Sequence, residues 1–261
     1  MGDGLIDYAE EATAGSEFNS NNFQDDSEFP QSLDEEDDED FIREYELENG
    51  KGIIYLVQKG KGDVHCVVWD AALVLGKYLE KICCSGKNFL TGKNIIELGS
   101  GLGCVGMVAA FYGGFVTLTD LSEALPLLKL NVKKNEKIIE KGKGKARVEK
   151  LNWIEENKLE PCDVILASDC IYYKESVEGF VKTLKNLSTP STDIYITQEK
   201  RNHSENQNEI WRKFIDEVSQ DFNLTVIPMS EQHQHYRDVN IYLIKLKKKK
   251  KSSTQNVVNN K

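Results

Sequence analysis

The stretch Asn94–Asp120, reading NIIELGSGLGCVGMVAAFYGGFVTLTD, constrains this chain more than any other segment. An apolar run (Ile95, Ile96, Leu98) leads into Gly99, Gly101 and Gly103. A small-residue helical stretch follows, then a second apolar run, Phe115–Leu118, that ends at Asp120. Strand, glycine turn, helix, strand, acid is the order of a nucleoside-binding βαβ unit. Glycine accepts positive φ and lets a ligand come close to the backbone, which a Cβ would prevent. Asp120, at the carboxyl end of the second strand, is placed to accept hydrogen bonds from ribose hydroxyls.

Two cofactor classes compete for such a unit. Gly101-x-Gly103-x-x-Gly106 matches the dinucleotide fingerprint, but Asp120 follows sooner than the roughly 20 residues usual there. Glu97, two residues before the first glycine, completes acid-x-Gly-x-Gly-x-Gly, which resembles the first motif of class I S-adenosylmethionine-dependent methyltransferases. A carboxylate at that place suits a ligand carrying an ammonium and a sulfonium and would repel a pyrophosphate. The methyltransferase reading is favoured. A glycine turn in a plain α/β domain is the bland alternative.

The net charge of −10 hides a strong asymmetry. Residues 1–48 hold 18 acids against the single base Arg43, and the remainder of the chain is net positive. With few apolar residues and the unbroken acidic run Asp34–Asp40, residues 1–40 are expected to be a disordered acidic tail. The lysine run from Lys247 opens a second disordered tail, 247–261, leaving a domain over 41–246. Six cysteines show neither CxxC nor zinc spacing, so no metal is assigned, and a reducing cytoplasm fits, with the lysine run a candidate nuclear address. No charged-then-apolar leader or membrane span is evident.

Within the domain, Asn49-Gly50 between two alternating runs marks a β-hairpin extension. His65–Trp69 reads as extended, with Asp70 capping a helix over Ala71–Lys81. Ser122 is expected to cap a helix running to Ile139, and a third strand spans Ala146–Leu151. Cys162–Ser168 and Asp193–Thr197 are buried-type strands, each followed by a helix, and Phe222–Met229 with Val239–Leu246 close the domain as a pair including one antiparallel strand. Alternating strands and helices give a mainly parallel, Rossmann-like α/β sheet covered on both faces.

The motifs Val68-Trp69-Asp70-Ala71-Ala72, Glu97-Leu-Gly-Ser-Gly101, Thr119-Asp120-Leu121, Leu151-x-Trp153 and Ala167-Ser-Asp169-Cys-Ile-Tyr172-Tyr173 occur in that order. Together they resemble the methyltransferase-like 21 group of seven-β-strand protein lysine methyltransferases, over roughly residues 60–246. The resemblance implies S-adenosyl-L-methionine as cofactor, bound by Gly99, Ser100 and Gly101 at its methionine part, by Asp120 at the ribose and by Trp153 near the adenine. Glu97 belongs to the same motif, Trp69 would border the cofactor, and Ser168, a small residue beside it, stands where a close relative in the family has alanine. Asp169 and Tyr172 match the acid-x-x-aromatic motif and would be catalytic. With Tyr173, and with Glu199 at the end of the next strand, they would also contact substrate. Trp69 and Trp153 are equally readable as core aromatics, Tyr173 as packing on its helix, and Glu199 as a surface ion pair.

The implied activity is transfer of a methyl group to a lysine of a protein substrate. The expected partner is the AAA+ ATPase valosin-containing protein or a related chaperone, acted on by a monomer without nucleic acid or membrane. A module of this fold acting on another protein or a small amine, or no longer catalytic, is the alternative. Asp169-Cys-Ile-Tyr172 lacks the two prolines used to grip planar nitrogens, which favours an sp³ amine.

Overall fold

The computed structural model describes residues 40–86 and 88–250. The expected acidic tail, but for Asp40, and the lysine tail beyond Lys250 lie outside the described residues. Strands β1 (Asp40–Leu47) and β2 (Gly52–Lys59) form the hairpin, with Tyr45 opposite Ile54. Asn49 and Gly50 both take φ above 60° there, as a tight hairpin turn requires.

The remaining elements alternate. Helix α1 (Asp70–Cys84) precedes β3 (Asn94–Leu98), α2 (Cys104–Phe111) and β4 (Phe115–Asp120). Next come α3 (Leu125–Lys134), α4 (Glu136–Lys141), β5 (Lys145–Lys150) and β6 (Val164–Ser168). Then follow α5 (Ser176–Leu187), β7 (Asp193–Glu199), α6 (Glu205–Asp221), β8 (Phe222–Val226) and β9 (Ile241–Lys248). The seven-stranded sheet has the order β5-β4-β3-β6-β7-β9-β8, and only β9 runs against its neighbours. The chain leaves β3 towards one edge through β4 and β5, then returns to its other side at β6. Neighbouring β3 and β6 therefore form the topological switch point, where open α/β sheets bind ligands beyond the carboxyl ends of their strands.

One face of the sheet is covered by α1, α2 and the hairpin around Leu75, Leu79, Met107, Val108, Ile54 and Leu56. The other is covered by α5 and α6 through Phe180, Leu184, Phe214 and Val218. The hairpin is held by polar groups as well. Buried Asn131 pairs with both backbone groups of Val57 (2.7 and 3.1 Å), and buried Asn135 with both of Tyr55 (2.8 and 2.7 Å). These two amides act as rungs of a ladder along β2. Asn135 thereby leaves helical geometry, and the expected single helix to Ile139 is two helices broken at that residue.

Other boundaries differ for local reasons. Val64–Cys66 is a 3-10 turn rather than extended chain, nucleated by the Asp63 carboxylate accepting from the Val64 N–H. Trp69, not Asp70, is the N-cap of α1, and Ser122 caps nothing: the next helix starts from Ala124 while the Ser122 hydroxyl bonds Glu123. Strand β9 runs two residues past Leu246, because Lys247 and Lys248 pair with Asn223 and Phe222 of β8.

Candidate active site

Beyond β3 the chain turns through Gly99 (φ 61°) and Gly101 (φ 51°) before α2. Both angles lie in the left-handed region that costs an ordinary L-residue about 1–2 kcal/mol. A Cβ on Gly99 would stand 2.7 Å from the Cys170 Sγ and 3.3 Å from the Trp153 ring. At Gly101 the nearest atoms, the His65 backbone, are 3.7 Å away, so this glycine borders a cradle roofed by the 3-10 turn. Ser100 stitches the turn to β4: its N–H donates to the Thr119 carbonyl (2.9 Å), and its Oγ accepts from the Thr119 N–H (3.0 Å).

Asp120 ends β4 and holds the same turn. Its Oδ2 accepts from the Gly101 N–H and its Oδ1 from the Leu121 N–H, both at 2.7 Å. Burial raises its carboxyl above the usual range, against those two N–H bonds. Each oxygen keeps a second lone pair, so hydroxyl donors can still be received. Glu97 is placed differently. It is fully enclosed between Ser100 and the first turn of α2, and its Oε2 has no hydrogen-bond partner among the described residues. Burial pushes its pKa to about 8. Enclosed there, this acid lies behind the turn.

Across the switch point, β6 ends at half-buried Ser168. Cys170 packs on the glycine turn, its thiol donating to the Leu98 carbonyl (3.2 Å). Burial, then the nearby Asp120, Asp169 and Glu97, raise that thiol's pKa, which makes it an inert packing group. Trp153 sets its ring edge-on to Phe180 (4.9 Å) and against Gly99, so it is at once a core aromatic and a wall of the cradle. Tyr172 is half-buried with its ring 4.5 Å from the exposed Tyr173, and burial raises its hydroxyl pKa. Exposed Trp69 donates its indole N–H to the Val64 carbonyl (2.8 Å) and so braces the roof over Gly101.

Asp169 has the most constrained backbone of the group, with φ 53° in a non-glycine residue. Its N–H donates to Thr197 of β7 (2.9 Å). Its Oδ1 accepts from the Gln198 amide (2.8 Å) and the Glu199 N–H (3.3 Å), and its Oδ2 is paired with Arg201 at 2.7 Å. The carboxylate is almost fully buried, while Glu199 stays open to solvent 3.4 Å from the same guanidinium nitrogen. Gln198 and Arg201 were not among the predicted site residues. Their signal was a polar cluster, Gln198-Glu-Lys-Arg201, at the carboxyl end of an otherwise apolar parallel strand. Gln58 was missed as well: its side chain accepts from the Val68 N–H (2.6 Å) and fixes the segment carrying Trp69.

The site therefore gathers Gly99, Ser100, Gly101, Asp120 and Trp153 on one side and Asp169, Tyr172, Glu199 and Arg201 on the other. The glycine turn, with the Trp153 ring against it and the Asp120 carboxylate at the end of the next strand, fits a nucleoside cofactor.

A family model described as lysine methyltransferase matches residues 48–220. The chain is 37% identical over 183 residues to the Danio rerio protein N-lysine methyltransferase METTL21A, covering 69% of this chain and 76% of that one. It is 39% identical over 136 residues to the Mus musculus EEF1A lysine methyltransferase 3, covering 51% and 55%. Among solved structures, the T. thermophilus 16S rRNA methyltransferase RsmC, in complex with AdoMet and guanosine, superposes with a TM-score of 0.55 at 13% identity, over 80% of this chain and 50% of that one. That likeness speaks to the fold.

Proposed function

We propose, for a chain that belongs to the lysine methyltransferase family, that the cleft at the β3–β6 switch point is where a protein lysine receives a methyl group from S-adenosylmethionine. The observation that carries this reading is the convergence of two separate motifs: the glycine turn with Asp120, and Asp169 with Tyr172, joined through Cys170. Gly99, Ser100 and Gly101 would hold the methionine part, Asp120 the ribose, and Trp153 the adenine side. Glu97 would support the turn from within.

S-adenosylmethionine, when bound, supplies a methyl carbon activated by a sulfonium. A lysine Nζ lone pair would displace the thioether from that carbon, and the methylated amine would give its extra proton to water. This chain's residues contribute alignment, which can account for about 7–11 kcal/mol of barrier. The amine must arrive neutral although lysine titrates near 10.4 in water. Desolvation beside half-buried Tyr172, once substrate covers the site, would favour that form. Asp169 and Tyr172 would orient the amine, and exposed Glu199 and Tyr173 would meet the surrounding substrate chain.

For the substrate, valosin-containing protein or a related chaperone ATPase is put forward first, on the resemblance carried by Val67–Ala72 and Asp169–Tyr173. The similarity to an EEF1A methyltransferase supports EEF1A as the second candidate. Incubating each purified protein with the enzyme and methyl-labelled cofactor, then mapping the label by mass spectrometry, tests both. Label on lysine in either supports the reaction; label confined to other residue types in a whole lysate overturns it.

A further inference from the structure

A bare carboxylate in the acceptor site creates a chemical conflict. It would attract a lysine ammonium, but it would also stabilise that ammonium and raise the pH at which the amine loses its proton. The structure holds an answer in Arg201. Its Nη2 lies 2.7 Å from the Asp169 Oδ2 and 3.4 Å from the Glu199 carboxylate. Among the described residues its Nη1 is buried without a hydrogen-bond partner, and the two carboxylates are the acceptors placed on its Nη2. Asp169 Oδ1 is independently held by the Gln198 amide and the Glu199 N–H. The orientation of the carboxylate therefore does not depend on Arg201 alone, whereas its electrostatic balance does.

We propose that Arg201 is a positioning residue of methyl transfer: shared between Asp169 and Glu199, it offsets one of their two negative charges, so that Asp169 hydrogen-bonds the target amine without holding it as an ammonium. The proposal rests on the lysine reading above. The other charged and titratable groups about this pair are few. Glu199 lies on β7, while Asp120 and Glu97 lie across Cys170 at the ends of β4 and β3. Asp63 is near Tyr172 and His65 near Asp120, both in the turn before α1. Lys200 is turned away to the Val239 carbonyl, and from α6 the neutral Gln207 reaches the Tyr172 carbonyl. Arg201 is thus the one cation that the described residues place on Asp169.

The test is the single-turnover methylation rate as a function of pH, between 6.5 and 10. It uses the purified protein that the full-length wild-type enzyme labels, and it compares wild type, Arg201→Gln and Arg201→Lys. In Arg201→Gln the acid limb should move up by about one pH unit, so the rate falls about tenfold at pH 7.5 and recovers near pH 9.5. Arg201→Lys should keep the wild-type limb. Asp169→Asn leaves the guanidinium with the Glu199 carboxylate alone, removes one negative charge from the site and should move the limb of its residual rate downward, which serves even if Arg201→Gln does not fold. A rate loss equal at every pH, or a limb that shifts as far in Arg201→Lys as in Arg201→Gln, overturns the proposal. Calorimetry with S-adenosylhomocysteine confirms that each variant keeps its cofactor site. A wild-type enzyme that labels no lysine at any pH overturns the lysine reading, and this proposal with it.

Discussion

The two halves of the cleft are built on different principles. At the ends of β3 and β4, the cradle is made of backbone: positive-φ glycines, a turn stitched by Ser100, and one carboxylate bonded to two N–H groups. At the ends of β6 and β7, the site is made of side chains. Asp169 sits in a left-handed backbone conformation and is held by Gln198 and Arg201, 29 and 32 residues further along the chain. A backbone-built site varies little with its neighbours, whereas a side-chain site can be retuned by single substitutions. The first half therefore tolerates few changes, and the second can be altered one residue at a time.

That contrast can be broken by experiment, and the largest effect should come from the backbone half. In Gly99→Val a β-branched side chain is forced to φ near 60° with its Cβ against the Cys170 Sγ. Binding of S-adenosylhomocysteine and methylation should both fall by more than about 100-fold, with a lowered melting temperature. Retained binding would show that this turn is not the cradle.

In the side-chain half, Asp169→Asn keeps the bond from Glu199 N–H but loses the charge that faces Arg201. Turnover should fall on the order of 100-fold while calorimetric affinity for S-adenosylhomocysteine changes little. Loss of both would move Asp169 into the cofactor half and erase the contrast. Asp120→Ala should act the other way, weakening cofactor affinity by about 10- to 150-fold, the worth of a charged hydrogen bond. Unchanged affinity would leave Asp120 as a strut for Gly101 and Leu121 alone.

The last prediction reads stability rather than binding or turnover and concerns Glu97, whose carboxyl burial raises to about 8 from the ordinary 4.5 of a glutamate. The proton is bound more tightly in the folded state. The stabilisation is complete below about pH 4.5 and is lost as pH rises through about 8. In Glu97→Gln that slope should be missing, so the variant's melting temperature should gain on the wild type between pH 5 and 8.5. Parallel curves would mean that Glu97 is ionised throughout and presents its charge to the cofactor.

Much of this was legible because it is local. The period of the apolar residues set the strands and helices, Asn49-Gly50 set the hairpin turn, and Gly99–Gly103 between two apolar runs set the strand–turn–helix–strand unit. Asp120 and Asp169 followed from their places at strand ends. The break at Asn135 was not legible, since it depends on an amide reaching Tyr55, 80 residues earlier in the chain.

By itself, then, the sequence determined the class of sheet, the glycine turn after β3 and the family, because each is written in contiguous residues whose spacing has one economical geometry. Only the tertiary structure decided that Glu97 is sealed behind the turn, that Trp153 serves both the core and the cradle, and that Asp169 is paired with Arg201. Burial and ion pairing are properties of neighbours brought together by the sheet order, and parallel crossovers place those neighbours tens of residues apart. The charge state of an acid depends on what surrounds it in space, which strand register and helix packing set and residue spacing does not.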